Sequence, residues 1–258
     1  MLQSLMNDPQ GFLLYMLYRT PAVLIALTLH EVAHGYMAYR CGDPTAKMMG
    51  RLSLNPLQHL DPWGTISMFL LGVGWAKPVP VNPRNFRNLR RDDLLVSLAG
   101  VIVNLLLFLA TTALTIPIGK LLYESTALRW LGLGFFLDFR SDGFLLQLDP
   151  RYAQELMRIL RTPWLLHFQR FLFQFSLVNI GLGLFNLLPF PPLDGFRVVN
   201  NILFRGKIRL NSQVFRLVQA GLMIFLITTD YVSQWLWTAI TSVQGAVLQV
   251  MLTLAGMR

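Results

Sequence analysis

From Leu94 to Ile118 the chain runs 25 residues without a charged side chain. At a rise of about 1.5 Å per residue this is roughly 37 Å of helix, enough to cross a hydrocarbon layer of about 30 Å. Such a run leaves few folds open, because backbone inside lipid must satisfy its own hydrogen bonds as helix or closed barrel. Composition agrees with a membrane chain. Hydrophobic residues make up 54%, charged residues only 14%, and the mean hydropathy is +0.49, where soluble domains carry about 25% charged residues. The expectation is an all-α polytopic membrane protein.

Further spans follow from the same criterion. One runs from Pro21 to about Arg40, with Thr20 as N-cap, Pro21 at the first helical position, and Gly42 and Pro44 ending it. Another covers Trp164 to Leu188. The apolar stretch from Val214 to Ala255 is interrupted by Asp230 and reads either as a hairpin of two spans or as one span plus an interfacial helix. Phe12–Tyr18 is too short to cross and reads as interfacial. Gly64–Ala76, 13 residues with three glycines, is also too short and reads as a re-entrant or packed segment. This gives about four or five transmembrane helices, a re-entrant segment and short extended cytoplasmic segments. We expect one membrane-embedded domain over 1–258, with a core at about 21–204 and a C-terminal helical hairpin at about 214–255.

The net charge is +9. Between the first two spans eight basic residues face four acidic ones, and after the third span Arg197, Arg205, Lys207, Arg209 and Arg216 face only Asp194. Residues 119–163 carry six basic and five acidic side chains. The positive-inside rule therefore puts the first two regions in the cytoplasm and 119–163 outside, provided that Gly64–Ala76 does not cross. The basic excess reads as membrane topology: the expected partner is the bilayer, not nucleic acid. Cys41 is the sole cysteine, which excludes an internal disulfide, a CxxC pair and a thiolate zinc cage. The first twelve residues lack the basic region of a cleavable signal peptide.

Within the first span stands His30-Glu31-Val32-Ala33-His34. On a helix, positions i and i+4 share a face, so both imidazoles can reach one metal ion. Glu31 lies about 100° further round, placed to act on a metal-bound water. With four His and three Glu in the chain, chance supplies the pattern on the order of once in 2,000. Lone membrane histidines do serve as helix–helix hydrogen-bond partners, but three ionisable residues in five positions of an apolar span are costly and argue for chemistry. His34 lies six residues before Arg40, about 9 Å from the basic end of the helix, so the helix has to face a polar cavity.

Catalytic zinc needs a third protein ligand. His59, His167, Asp43, Asp61 and Asp194 are candidates. His167 falls at the external end of the third span, and nothing local favours His59, Asp43 or Asp61. Asp194 follows Pro189-Phe190-Pro191-Pro192-Leu193 where that span nears the cytoplasm, and three prolines in four residues free backbone that is tolerable only when buried or lining a cavity. Its competing role is to cap the helix starting near Gly195.

HEVAH in one membrane helix followed by Asn186-Leu-Leu-Pro-Phe-Pro-Pro-Leu-Asp-Gly195 in a later one resembles the site-2 protease family of intramembrane zinc metalloproteases, in its compact prokaryotic branch. Gly42-Asp-Pro-Thr45, Gly50-Arg-Leu-Ser-Leu-Asn-Pro56, Asp61-Pro-Trp-Gly-Thr65, Gly74-Trp-Ala-Lys-Pro-Val-Pro-Val-Asn-Pro83, and Ala99-Gly100 with Asn104 extend the similarity over residues 21 to about 204. Family members often have Ala-Gly-Pro where this chain has Ala99-Gly100-Val101.

The resemblance implies one zinc ion held by His30, His34 and Asp194, Glu31 as general base and then acid, and Asn186 beside the scissile carbonyl. It implies cleavage in or near transmembrane segments of membrane-protein or peptide substrates, in a prokaryotic cell membrane, with the site nearer the cytoplasmic face. Two other readings compete: a membrane-anchored zinc peptidase acting on soluble or peripheral peptides, and a non-catalytic metal-binding scaffold. A metal carrier would not need Glu31 beside the ligands, and a catalytically dead scaffold is expected to have lost one of the four residues. A transmembrane substrate has to unwind before attack, and Gly50–Asn55 or Gly74–Val81 are extended segments able to pair with the unwound strand.

Overall fold

The computed structural model describes residues 8–71, 74–148, 152–208, 212–229 and 231–257. Those residues are mostly helical, with isolated β-bridges and no strand among them. The helices are α1 (Pro9–Arg40), α2 (Thr45–Met48), α3 (Pro62–Leu71), α4 (Leu89–Leu122), α5 (Ser125–Leu131), α6 (Leu133–Leu137), α7 (Asp142–Leu148), α8 (Ala153–Met157), α9 (Leu165–Asn186), α10 (Asp194–Leu203), α11 (Ser212–Thr228) and α12 (Tyr231–Leu254).

Three described helices are long and apolar enough to cross a membrane: α1, α4 and α12. Helix α9 has the length, 22 residues, but carries His167, Gln169, Arg170, Gln174 and Asn179 and falls outside that set. Helix α11 has 17 residues, short for a crossing. The C-terminal region is thus one long helix preceded by a shorter one; Asp230, expected to interrupt it, lies outside the described residues, as does Arg209.

The first span begins earlier than Pro21. Helix α1 is continuous for 32 residues with Pro21 inside it. Its start is set by Asp8, whose carboxylate accepts the Gly11 N–H at 2.9 Å, followed by Pro9 at the first helical position. That is the cap-then-proline signature expected at Thr20-Pro21, one occurrence upstream. Phe12–Tyr18 is therefore part of this helix, not a separate segment. Pro21 removes one backbone hydrogen bond, a loss that membrane helices tolerate. Helix α4 likewise runs through Pro117.

Asp61 and Pro62 repeat the signature at α3: Gly64 N–H donates to Asp61 Oδ1 at 2.8 Å. The expected re-entrant segment, Gly64–Ala76, takes in residues 64–71 of this ten-residue helix, and residues 72–73 lie outside the described set. Its two ends meet. Leu60 and Ala76 form an antiparallel bridge, and Lys77 N–H donates to His59 O at 2.8 Å.

The chain clusters into two compact units, each drawing on α1, α4, α9 and the C-terminal helices. One holds Leu24–Leu105 and Gly181–Leu236. A fully buried Asp43 ties its turns together: it accepts Thr45 N–H at 3.1 Å, Asn82 N–H at 2.7 Å and the Asn85 amide at 2.7 Å.

The other holds Leu106–Ile180, the start of α1 to Val23, and the chain from Trp237 on. Residues 119–163, loop-like in composition, form α5–α8 there. Tyr123 stacks on Phe136 at 3.9 Å, and Phe139 and Phe144 pack on Phe173. Buried amides join the backbone: Gln147 donates to Phe136 O at 2.7 Å and Gln244 to Leu137 O at 2.8 Å.

Candidate metal centre

Helix periodicity puts His30 and His34 one turn apart on α1, and their rings meet edge-on, centroids 4.6 Å apart. Each ring is fixed from α4. His30 Nδ1–H donates to Asn104 Oδ1 at 2.6 Å, and His34 Nδ1–H donates to Val96 O at 2.7 Å. Both Nε2 atoms therefore carry lone pairs. They lie 3.0 Å from each other.

The third donor arrives from α10. Asp194 Oδ2 is 3.3 Å from His30 Nε2 and 3.2 Å from His34 Nε2. The atom is buried and has no hydrogen-bond partner. Three lone-pair atoms aimed at one point repel unless a cation lies between them. A tetrahedral ion with bonds of about 2.0–2.1 Å separates its ligand atoms by about 3.3 Å, and the observed triangle of 3.0, 3.2 and 3.3 Å has that size. The donor set, two imidazoles and one carboxylate, suits a catalytic zinc site with one position left open. The residues present fit the ion.

Glycine makes this approach possible. A Cβ on Gly100 of α4 would stand 2.5 Å from His34 Nε2 and 2.6 Å from His30 Cε1. At Gly195 a Cβ would collide with the Leu187 carbonyl, so the turn delivering Asp194 closes only without a side chain there. Beyond Asp194, α10 is tied to α4: Asn201 Nδ2 donates to Asp93 Oδ2 at 2.5 Å, Arg90 Nε donates to Asn201 O at 3.0 Å, and Arg197 Nη1 stands 3.7 Å from Asp93 Oδ1.

Glu31 is half-buried next to the pair. Its Oε2 accepts the Val79 N–H at 2.8 Å, so the extended segment after Ala76 crosses directly over the carboxylate.

The other sequence candidates are engaged elsewhere. Asp43 and Asp61 hold turns, as described. His59 is buried and its Nε2–H donates to Ser53 O at 2.8 Å. His167 Nδ1 shares a 2.6 Å hydrogen bond with the Tyr18 hydroxyl. Asn186 makes no hydrogen bond to the cluster among the described residues; its amide donates to Leu182 O at 3.0 Å, one turn back in α9.

Sequence reasoning assigned no role to Asn104, to the Val96 carbonyl or to the Val79 amide. Asn104 carried a signal, as a polar side chain in an apolar span four residues beyond Gly100 and on the same helix face. The two backbone groups carried none.

The profile of the family described as "Peptidase family M50" matches residues 19–228. The chain is 35% identical over 245 residues to "Putative zinc metalloprotease YwhC" of Bacillus subtilis, covering 93% of this chain and 94% of that protein. It is 32% identical over 134 residues to "Putative zinc metalloprotease Rip2" of Mycobacterium tuberculosis and 29% identical over 132 residues to Rip2 of Mycolicibacterium smegmatis, covering 49% of each chain. No solved structure matches.

Proposed function

The chain belongs to peptidase family M50, and on that premise we propose that it is a zinc metalloprotease of the membrane, cutting peptide bonds in or near transmembrane segments of its substrates. The observation that carries the reading is the convergence of His30 Nε2, His34 Nε2 and the unpartnered Asp194 Oδ2 within a 3.0–3.3 Å triangle, beside a carboxylate on the same helix.

In this reading His30, His34 and Asp194 hold one zinc ion per chain. Bound there, zinc supplies Lewis acidity toward the substrate carbonyl and the bound water. Asn104 and the Val96 carbonyl hold the imidazoles in the tautomer that presents Nε2, as partners behind metal ligands do. Glu31 accepts a proton from water at a carboxylate oxygen and delivers one to the leaving amine. Its Oε2 is held by Val79 N–H, leaving Oε1 for that transfer. Asn186, at the end of α9, positions the scissile carbonyl, turning its amide away from Leu182 to do so.

Placement within a membrane span favours substrates that are themselves in the bilayer, and the paired ends at Leu60 and Ala76 favour α3 as a segment entering and leaving on one face. The basic regions favour that face, and the site, lying toward the cytoplasm of a prokaryotic cell.

The test is a Glu31→Gln variant. Zinc content is measured on the same preparation as cleavage of a single-span membrane protein and of its soluble fragment. Retained zinc with cleavage lost supports the mechanism; wild-type cleavage overturns it. Wild-type enzyme that cuts only the soluble fragment overturns the intramembrane assignment.

A further inference from the structure

Beyond the last turn of α1 an open cleft of about 500 Å³ is lined by Tyr39, Arg40, Gly42, Pro44 and Arg87, a volume in the range of small-ligand sites. Two arginines line it, and Arg40 Nη1 donates to the Tyr36 hydroxyl at 3.4 Å. Among the described residues neither Arg40 nor Arg87 forms an ion pair. The acids nearest in sequence are committed elsewhere. Asp43 takes Thr45, Asn82 and Asn85; Asp61 caps α3; Asp92 accepts Asn88 N–H at 2.8 Å; Asp93 meets Asn201 and Arg197. A third cation stands beside the cleft, Lys47, whose Nζ lies 4.3 Å from the Tyr39 ring centroid and donates to its hydroxyl at 3.0 Å. Among the described residues no carboxylate pairs with these arginines, which leaves the cleft open to an outside anion.

Its surroundings indicate the source. Tyr36 and Tyr39 are exposed in the last turns of α1, and Met48 and Met49 are exposed at the end of α2, so exposed aromatic and apolar side chains accompany the end of a membrane-length helix, where tyrosines sit at headgroup level. Basic pockets at this level bind anionic headgroups, and arginine forks match phosphate oxygens. We propose that the Arg40–Arg87 cleft binds the phosphate of an anionic phospholipid headgroup, anchoring the end of the helix that carries His30 and His34. The proposal rests on α1 crossing a bilayer, not on the metal chemistry, and its readouts involve neither zinc nor cleavage.

The test uses the purified full chain in phosphatidylcholine nanodiscs and in detergent, with phosphatidylglycerol, phosphatidylcholine and inorganic phosphate as probes. Bound lipid is counted by native mass spectrometry and thermal stability is followed in parallel. Phosphatidylglycerol is expected to be retained and to raise the melting temperature, while the other two probes do neither. The double variant R40Q/R87Q should weaken phosphatidylglycerol retention about tenfold or more, whereas R129Q/R158Q, two exposed arginines elsewhere, should retain wild-type binding. R40K/R87K keeps the charge without the fork and is expected to bind between wild type and R40Q/R87Q, which separates a lost site from a damaged fold. Wild-type retention by R40Q/R87Q, or equal losses in both glutamine variants, overturns the site. Equal stabilisation by inorganic phosphate overturns the lipid assignment in favour of a soluble anion.

Discussion

Asn104 decides which nitrogen of His30 faces the metal pocket. It is fully buried and accepts from His30 Nδ1–H at 2.6 Å. Asn104→Leu keeps the branched outline of the side chain but removes the acceptor, freeing the ring to flip or change tautomer. Zinc affinity, measured by competition with a chelator, should fall about 10–100-fold, while His59→Ala and His167→Ala stay near wild type. Asp43 yields a pH prediction. Burial pushes its carboxyl up, but the hydrogen bonds from Thr45, Asn82 and Asn85 outweigh burial and hold it below the usual carboxylate range. A depressed folded-state value means that the contribution is complete above about pH 4, the ordinary unfolded value, and is lost as pH falls through the folded one. Asp43→Asn should therefore cost about 1–3 kcal/mol at pH 7, and the gap to wild type should narrow below about pH 4 in denaturation followed at both pH values. The HEVAH pair was legible because its geometry is local, set by one helical turn. Asn104 and Gly100 were visible as residues, but their roles depend on which helix face packs on which, and no spacing within α4 states that.

At the scale of elements, α10 is a lever with Asp194 at one end and Asn201 at the other, clamped to α4 through Asp93 and Arg90. Asn201→Ala removes the side-chain bond of the clamp to Asp93, leaving the Arg90 bond to the backbone carbonyl, without touching a ligand. Helix α10 should then sample positions that withdraw Asp194, and zinc binding should weaken roughly tenfold in the same chelator competition; unchanged affinity would show that the turn at Leu187–Gly195 holds Asp194 unaided. The prolines show how far sequence carries at this scale. Asp-Pro marked the true starts of α1 and α3, whereas Thr20-Pro21 offered the same signal inside a helix. Local chemistry could not tell a first helical proline from an interior one, because the difference lies in whether the residues before it also have a surface to pack on. Tyr18, buried and bonded to His167, supplies that surface. Residues 119–163 were unreadable for the same reason: α5–α8 are too short to hold a helical pattern, and α6, α7 and the turn between them pack on Tyr123, Phe173 and Gln244.

For the whole molecule, the apolar runs fixed the class, and the charge asymmetry sets an orientation that can be tested. Cys41, at 7% exposure and packed with Ala38, Phe86 and Val96, is shielded from reagents. Met48 and Trp130 are 81% and 87% exposed. In a Cys41→Ala background, Met48→Cys should react with a membrane-impermeant maleimide only after permeabilisation, and Trp130→Cys already in intact cells. The reverse pattern would place the metal centre near the outer face. One further consequence follows from the pairing of Leu60 with Ala76. The chain leaves and returns at neighbouring points, so all that lies between is a detour whose length and chemistry are free of the register of α1 and α4. It is a cassette. In such an arrangement the segment can be lengthened or shortened while His30, His34 and Asp194 keep their places.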